Sequence, residues 1–274
     1  MKLISRLAAA AFACVLAGAI AQSAPARKVE VQWLGQATIK ITSPDGKVIV
    51  IDPWVTTNPK TPMQYKDLDA FGKVDAILVT HAHFDHFADA PALAAKNNAK
   101  IYGPGGLGGS ATALGIVPPG TMPGFNKSGT LTPVGPGVKV TAVRAEHSSE
   151  LSWKNPATGK DEVHVGGEPL GFIIELENGF RIYHMGDTGL FGDMKLIGEY
   201  YKPDLILIPI GGNFTMDPKD AAFATREFLK PKFAIPIHYG TFPVLKGTPA
   251  EYMDALGKTA TKVFPINPGD KLEF

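Results

Sequence analysis

Val74-Asp75-Ala76-Ile77-Leu78-Val79-Thr80-His81-Ala82-His83-Phe84-Asp85-His86 is the stretch that decides how this chain is read. Val74 to Val79 is a nearly continuous apolar run, the pattern of a strand buried on both faces. It leads directly into four potential metal ligands: His81, His83, Asp85 and His86. Side chains alternate along an extended chain, so His81 and His83 share one side and can meet one ion. Asp85 and His86 come where the chain turns into a helix, and can point at a second ion. Imidazole and carboxylate suit Zn²⁺, Fe or Mn²⁺. Three of the chain's seven histidines fall in this run, so a polar loop with chance histidines explains it poorly.

The same pattern recurs on either side. Val29 to Leu34 alternates apolar and polar, as a half-buried strand does. Thr38 to Thr42 and Lys47 to Ile51 flank Pro44-Asp45-Gly46, a hairpin signal. Leu170 to Leu176 and Phe180 to His184 flank a second one, Glu177-Asn178-Gly179. Leu205 to Ile210 and Phe233 to Ile237 read as further buried strands. Asp85 onward, through Ala90 to Ala95, reads as helix. Asp217-Pro218 reads as an N-cap with Pro at the first helical position, and that helix stops before Pro231. Tyr102 to Gly137 is rich in Gly and Pro and is expected to loop over the surface. Strands alternating with helices predict helix-covered sheets, and two such halves face to face make a four-layer αββα sandwich.

More ligand-type residues sit where strands should end: His147 after Val138 to Val143, Asp187 in Gly186-Asp187-Thr188-Gly189, and His238 after Phe233 to Ile237. Singly, each is a satisfied polar residue as readily as a ligand. Together they supply what the first run lacks for two ions.

The chain has 274 residues, 45% of them hydrophobic, enough for one sizeable core. Lys2 and Arg6, the apolar stretch Leu7 to Ile20 and the small-x-small Ala19-Ile20-Ala21 predict a signal peptide over 1–21, with the domain over 22–274. An uncleaved anchor and a lipoprotein at Cys14 are the lesser alternatives. The address implied is periplasmic or secreted, with no stable membrane insertion after cleavage. Removing 1–21 leaves 25 basic against 26 acidic side chains, so no basic surplus favours a phosphate backbone and nucleic acid is not an expected partner. Cys14 is the only cysteine, so a metal site in the mature chain draws on His, Asp and Glu.

His-x-His-x-Asp-His, then a lone His, then Gly-Asp-Thr-Gly, then His after an apolar strand resembles the metallo-β-lactamase superfamily. Trp33-Leu34-Gly35, Ile51-Asp52-Pro53, His147-Ser148-Ser149, Pro209 to Met216 and His238-Tyr239-Gly240-Thr241 narrow the resemblance. They are similar to a branch of small, metal-dependent hydrolases related to the ascorbate-6-phosphate lactonases. The resemblance implies an α/β, four-layer αββα fold. It implies one ion on His81, His83 and His147, a second on Asp85, His86 and His238, and Asp187 bridging them. Asp52 would stand behind the ions and orient a ligand. Two departures stand out: Gln36 where the branch commonly has His, and Ala82 and Phe84 where it commonly has glycines within the histidine run. Phe84 either narrows the pocket or packs beneath it.

The function expected is hydrolysis of a small ester, lactone, amide or phosphoester by a hydroxide that two divalent ions activate, Zn²⁺ foremost, with Mn²⁺ or Fe as alternatives. Asp85 and Asp187 are the candidate catalytic groups, Asp85 also passing a proton. Asn213, after a buried strand and two glycines, could contact substrate or steady its loop. His164 reads as an exposed loop histidine ahead of a substrate contact. His184, three residues before Asp187, would support it. Ser148 and Ser149 read as loop or supporting residues rather than nucleophiles. The competing classes are a non-catalytic metal sensor and an iron-dependent redox enzyme on the same scaffold. The intact ligand set weighs against the first. His83, where flavin-linked diiron relatives carry Glu, weighs against one form of the second.

Overall fold

The structure, a computed structural model, describes residues 28–274. The segment 1–21 lies outside them. Two seven-stranded sheets carry the fold. From edge to edge the first runs Lys271–Glu273, Glu30–Trp33, Ile39–Thr42, Val48–Ile51, Ala76–Leu78, Lys100–Pro104 and Gly124–Phe125. The second runs Lys262–Val263, Phe233–Ile237, Leu205–Pro209, Arg181–His184, Leu170–Glu175, Lys139–Arg144 and Thr130–Leu131.

Residue alternation assigns each side chain to a layer. Ile49 and Ile51 point into a core between the sheets, while Val50 points outward. Leu205 and Leu207 enter the same central core; Ile206 and Ile208 face the other way. The outer face of the first sheet packs Val50, Ile77 and Val79 against Leu93, Ala94, Leu107 and Ala111. These come from helices Ala90–Asn97 and Gly105–Ala113. The outer face of the second packs against Met194, Ile197, Ala221, Tyr252 and Leu256, from helices Met194–Tyr201, Pro218–Phe223 and Pro249–Leu256. This is the αββα sandwich, and it explains the apolar runs: strands covered on both faces have no polar side to show. Each buried Leu or Ile contributes about 1.5–3 kcal/mol relative to exposure.

Both expected hairpins form, Ile39–Thr42 with Val48–Ile51 and Leu170–Glu175 with Arg181–His184. Asp217 caps its helix by accepting from the N–H groups of Lys219 and Asp220. Two expectations are corrected. The helix after the histidine run is two pieces, Phe84–Phe87 and Ala90–Asn97. Pro91 has no N–H for the Phe87 carbonyl, and Asp89 turns its carboxylate to the N–H groups of Val55 and Thr56. Tyr102 to Gly137 is not loop throughout: it holds the helix Gly105–Ala113. Its glycines serve close packing rather than turns. A Cβ at Gly106 would stand 2.7 Å from Gly167 Cα, and one at Gly108 would stand 2.6 Å from the Met122 carbonyl. No helix among the described residues is long and apolar enough to cross a membrane.

The connections set the site. Val48–Ile51 runs parallel to Ala76–Leu78 and then Lys100–Pro104. Arg181–His184, Leu205–Pro209 and Phe233–Ile237 are likewise parallel. In such sheets ligands gather outside the carboxyl ends of the strands. Asp52, Thr80-His81, Asp187 and His238 all follow carboxyl ends.

Candidate metal centre

Three of the chain turns that shape the centre are held in left-handed backbone: Gln36 at φ +49°, Asp52 at +47° and His238 at +55°. Non-glycine residues pay for that conformation, and such strain collects at functional sites. The turns lock to each other. The Gln36 carbonyl accepts from the His238 N–H at 3.0 Å and from Trp33 Nε1 at 2.9 Å, tying one half of the sandwich to the other.

Behind the histidine run, Asp52 accepts from the Thr80 N–H at 2.7 Å, from Thr80 Oγ1 at 2.7 Å and from His86 Nδ1 at 2.8 Å. His86 therefore carries a proton on Nδ1 and turns Nε2 inward. Thr80 Oγ1, already donating to Asp52, accepts from His81 Nδ1 at 3.0 Å, which leaves His81 Nε2 bare. His83 Nε2 donates to Glu150 at 3.1 Å, and its Nδ1 turns inward to 3.0 Å from His81 Nε2. Outer carboxylates and hydroxyls that choose the tautomer in this way are the usual support of metal-ligating histidines.

The inward atoms converge. His81, His83 and His147 form one group whose ligand atoms lie within 4.8 Å of one another; Asp85, His86 and His238 form a second. His81, His86 and Asp187 form a third that links them. Asp187 Oδ1 is 3.3 Å from His86 Nε2, and its Oδ2 is 3.0 Å from His238 Nε2 and 3.6 Å from His147 Nε2. It thus touches histidines of both groups. All seven predicted ligands meet in one place.

Burial and charge make the cluster demanding. His86 Nε2 and Asp187 Oδ1 are buried without a hydrogen-bond partner. Such orphans are costly in a protein interior, and a cation shared by the two satisfies both. Burial, and then the neighbouring His86, push His81 well below the ordinary histidine range. Burial also lowers His147. Both are therefore neutral, as ligands must be. Burial works against the charged forms of the others but is outweighed. Asp187, Asp85 and Asp52 hold His86 well above its usual range, and Asp187 raises His238 to about 9. His86 lowers Asp85 to about 2, and His238 with His86 holds Asp187 well below the carboxylate range. Gln36 Nε2 approaches His238 Nε2 to 2.7 Å, which requires a bare ring nitrogen. That neutral ring is also the ligating form; the carboxylates favour the protonated one only while no other cation balances them. Nitrogen and oxygen donors without thiolate fit Zn²⁺, Mn²⁺ or Fe.

The supporting residues fall as follows. His184 donates from Nε2 to the Ala37 carbonyl at 2.9 Å and accepts the Gly186 N–H on Nδ1 at 3.2 Å, so it braces the turn that presents Asp187. Ser149 Oγ donates to the Gly166 carbonyl and accepts the Ala82 N–H, pinning the histidine run to a hairpin. Ser148 donates to Glu150. His164 stands on that hairpin, Glu150–Lys154 paired with Asp161–Val165, with its ring against Trp153 and its Nε2 3.1 Å from Glu162. It is on a strand rather than a loop, and away from the cluster. Asn213, at φ +60°, borders a neighbouring cavity with Lys246 and Glu251 rather than the one above the ligands. Tyr239 packs on Trp33 in the core, where burial raises it to about 12. Glu150 is a functional neighbour that motif reading missed; its only signal is an acidic residue three places after His147.

A cavity of about 560 Å³ opens above His83, Asp85, His147, Asp187 and His238. Phe84 lines it, 59% exposed, and stands edge-on to Trp54 at 5.4 Å, so it narrows the pocket rather than packing beneath it.

Comparison with known proteins agrees with this architecture. The family described as a β-lactamase superfamily domain matches residues 47–239. A UPF0173 metal-dependent hydrolase of a Polaromonas strain is 63% identical over 273 residues, covering 100% of this chain and 99% of its own. Among solved structures, the metallo hydrolase Igni18 of Ignicoccus hospitalis superposes with a TM-score of 0.75 at 33% identity, covering 90% of this chain and 98% of its own. The metallo-β-lactamase fold protein YhfI of Bacillus subtilis shares the fold at a TM-score of 0.65 and 15% identity, over 90% of this chain and all of its own. The narrower tie to ascorbate-6-phosphate lactonases does not emerge from these likenesses. One expectation is corrected: the signal peptide over 1–21 and the periplasmic or secreted address are withdrawn. The relative that matches the whole chain is named for metal-dependent hydrolysis alone, not for export. The chain belongs to the β-lactamase superfamily, among its UPF0173 metal-dependent hydrolases.

Proposed function

We propose that this metal-dependent hydrolase works with two divalent ions, zinc foremost, and cleaves a small ester, lactone, amide or phosphoester. The observation that carries this is Asp187, whose oxygens reach His147 of one ligand group and His86 and His238 of the other, while Oδ1 stays buried without a hydrogen-bond partner. His81, His83 and His147 would hold one ion, and Asp85, His86 and His238 the other, with Asp187 between them. When bound, the ions supply water acidified to a nucleophile at neutral pH and charge to offset a developing oxyanion. The chain's own groups do the rest. Asp52 and Thr80 keep His81 and His86 in the ligating tautomer. Asp85 borders the cavity and accepts or passes a proton at Oδ2, where Gln36 donates at 2.8 Å.

Elemental analysis of the purified protein is expected to find about two divalent ions per chain. Asp187→Ala is expected to lose at least one ion and turnover by about 10²-fold or more, with the circular dichroism of the native fold retained. A chain that neither holds nor regains metal overturns the reading, as does an Asp187→Ala protein with unchanged turnover. Metal retained alongside silence across chromogenic esters, lactones, β-lactams and phosphodiesters would point to a sensor instead.

A further inference from the structure

The cavity over the ligands has two chemically different sides. Its floor is the histidine and carboxylate cluster. Its wall is apolar: Phe84, Phe214, Phe242, Val244 and Leu245. Phe242 stacks on the buried Trp54 with ring centroids 5.7 Å apart and 14° between planes, and Phe84 meets both rings edge-on. Phe84, Phe214 and Val244 are 59%, 58% and 45% exposed, a cost in water that a bound apolar group would remove. Phe84 opens the helix after Ala76–Leu78, while Phe214 and Phe242 come from loops after Leu205–Pro209 and Phe233–Ile237, yet all three face one opening.

Charge points the same way. No Lys or Arg lines this cavity among the described residues; the one charged side chain on its rim besides the cluster is Glu150. Asp52, Asp85, Asp187 and Glu150 together offset two divalent ions, so the loaded site has no surplus for a dianion. Phosphate recognition ordinarily uses the Arg fork or the Lys point charge. The cavity size suits one small molecule.

Building on the hydrolase reading above, we propose that the substrate is an uncharged ester, lactone or amide bearing an aryl or branched alkyl group. That group seats on Phe84, Phe214 and Phe242 while the scissile bond lies over Asp85 and Asp187. Phosphate monoesters are rejected. Hydrolysis adds water across the acyl bond: the acyl carbon gains the hydroxyl, and the leaving oxygen or nitrogen takes the proton.

The test uses the metal-loaded full chain and four probes sharing a phenyl group. Phenyl butanoate and phenyl phosphate report turnover; N-phenylbutanamide and phenyl phosphonate report binding by ligand-observed NMR. The expected result is a kcat/KM for the butanoate at least a hundredfold above the phosphate, with the amide binding at least tenfold tighter than the phosphonate. Phe214→Ala, exposed and outside the ligand groups, is expected to weaken the amide at least fivefold with metal content unchanged. Phe242→Leu is the second variant, expected to do the same to a lesser degree. Faster turnover of the phosphate overturns the substrate class and leaves the hydrolase reading standing. Amide binding that neither variant weakens also overturns it. No turnover of either ester, with amide binding intact and weakened by Phe214→Ala, removes the hydrolase reading and upholds the apolar subsite.

Discussion

At the scale of the single residue, Gln36 shows how much one side chain can be asked to do. It is fully buried, at φ +49°, with its carbonyl bridging Trp33 and His238 and its Nε2 2.8 Å from Asp85 Oδ2. The backbone bonds belong to any residue at this position; the amide bond to Asp85 belongs to Gln36. Gln36→Leu keeps the volume and the backbone and removes that donor. Asp85 then loses the group that orients it, and metal affinity is expected to fall by about 10- to 100-fold, as when other outer partners are lost. Competition against a chromogenic chelator measures it. An affinity within twofold of the parent would mean that the Asp85–Gln36 bond positions nothing. The position also explains why Gln suits this turn. The turn needs a buried side chain with a donor reaching Asp85, and the amide supplies one without competing as a ligand.

At the scale of the element, the strands are tied in register by side chains at their ends. Asp75, at the start of Ala76–Leu78, accepts the Val48 N–H at 2.9 Å and pairs with Lys73 at 2.7 Å. Burial opposes its charge, but Lys73 and that N–H outweigh it and lower its carboxyl pKa. A lowered carboxyl contributes stability that is full above the unfolded value near 4 and is lost as pH falls through the folded one. Asp75→Ala is therefore expected to cost about 1–2 kcal/mol at pH 6 to 8, and progressively less as acid protonates the parent. Denaturant titrations of both proteins at pH 7 and pH 3 check this; a pH-independent difference would refute it. Most strands were legible because both faces are buried, so apolar residues accumulate without gaps, as in Phe233–Ile237. The Glu150–Val165 hairpin was not. Its residues are mostly exposed, so they carry no burial pattern, and Val163-His164-Val165 looks like polar loop. The helix Gly105–Ala113 was hidden for the opposite reason: close packing selects glycine, which in isolation signals a turn. All seven residues that converge in the cluster were legible because ligation would demand particular side chains at strand ends. The partners that choose their tautomers were less so. Glu150 and Thr80 act through distances that depend on how the chain folds back.

At the scale of the whole molecule, the centre is a seam. His81, His83, Asp85 and His86 belong to the first sheet's half; His147, Asp187 and His238 belong to the second. The halves already share a central core, and the Gln36–His238 backbone bond and the His184–Ala37 bond cross between them. Cations held by both halves would add a further link that exists only when the two are folded together. Linkage then sets the size of the effect. Ions at a thousandfold above their dissociation constant stabilise the native state by about 4 kcal/mol. In a domain of this length that amounts to roughly 8–16 °C in Tm. Chelation should lower Tm by that amount, and restoring Zn²⁺ should recover it. Asp187→Ala, which lacks the group common to both ligand sets, should respond by less than half as much, because only one set can still close. Differential scanning fluorimetry with and without chelator, on parent and variant together, decides the matter. A parent whose Tm ignores chelation while its metal content falls would show that the ions sit on a frame the protein core holds alone. An equal response in parent and variant would show that Asp187 does not join the two halves of the site.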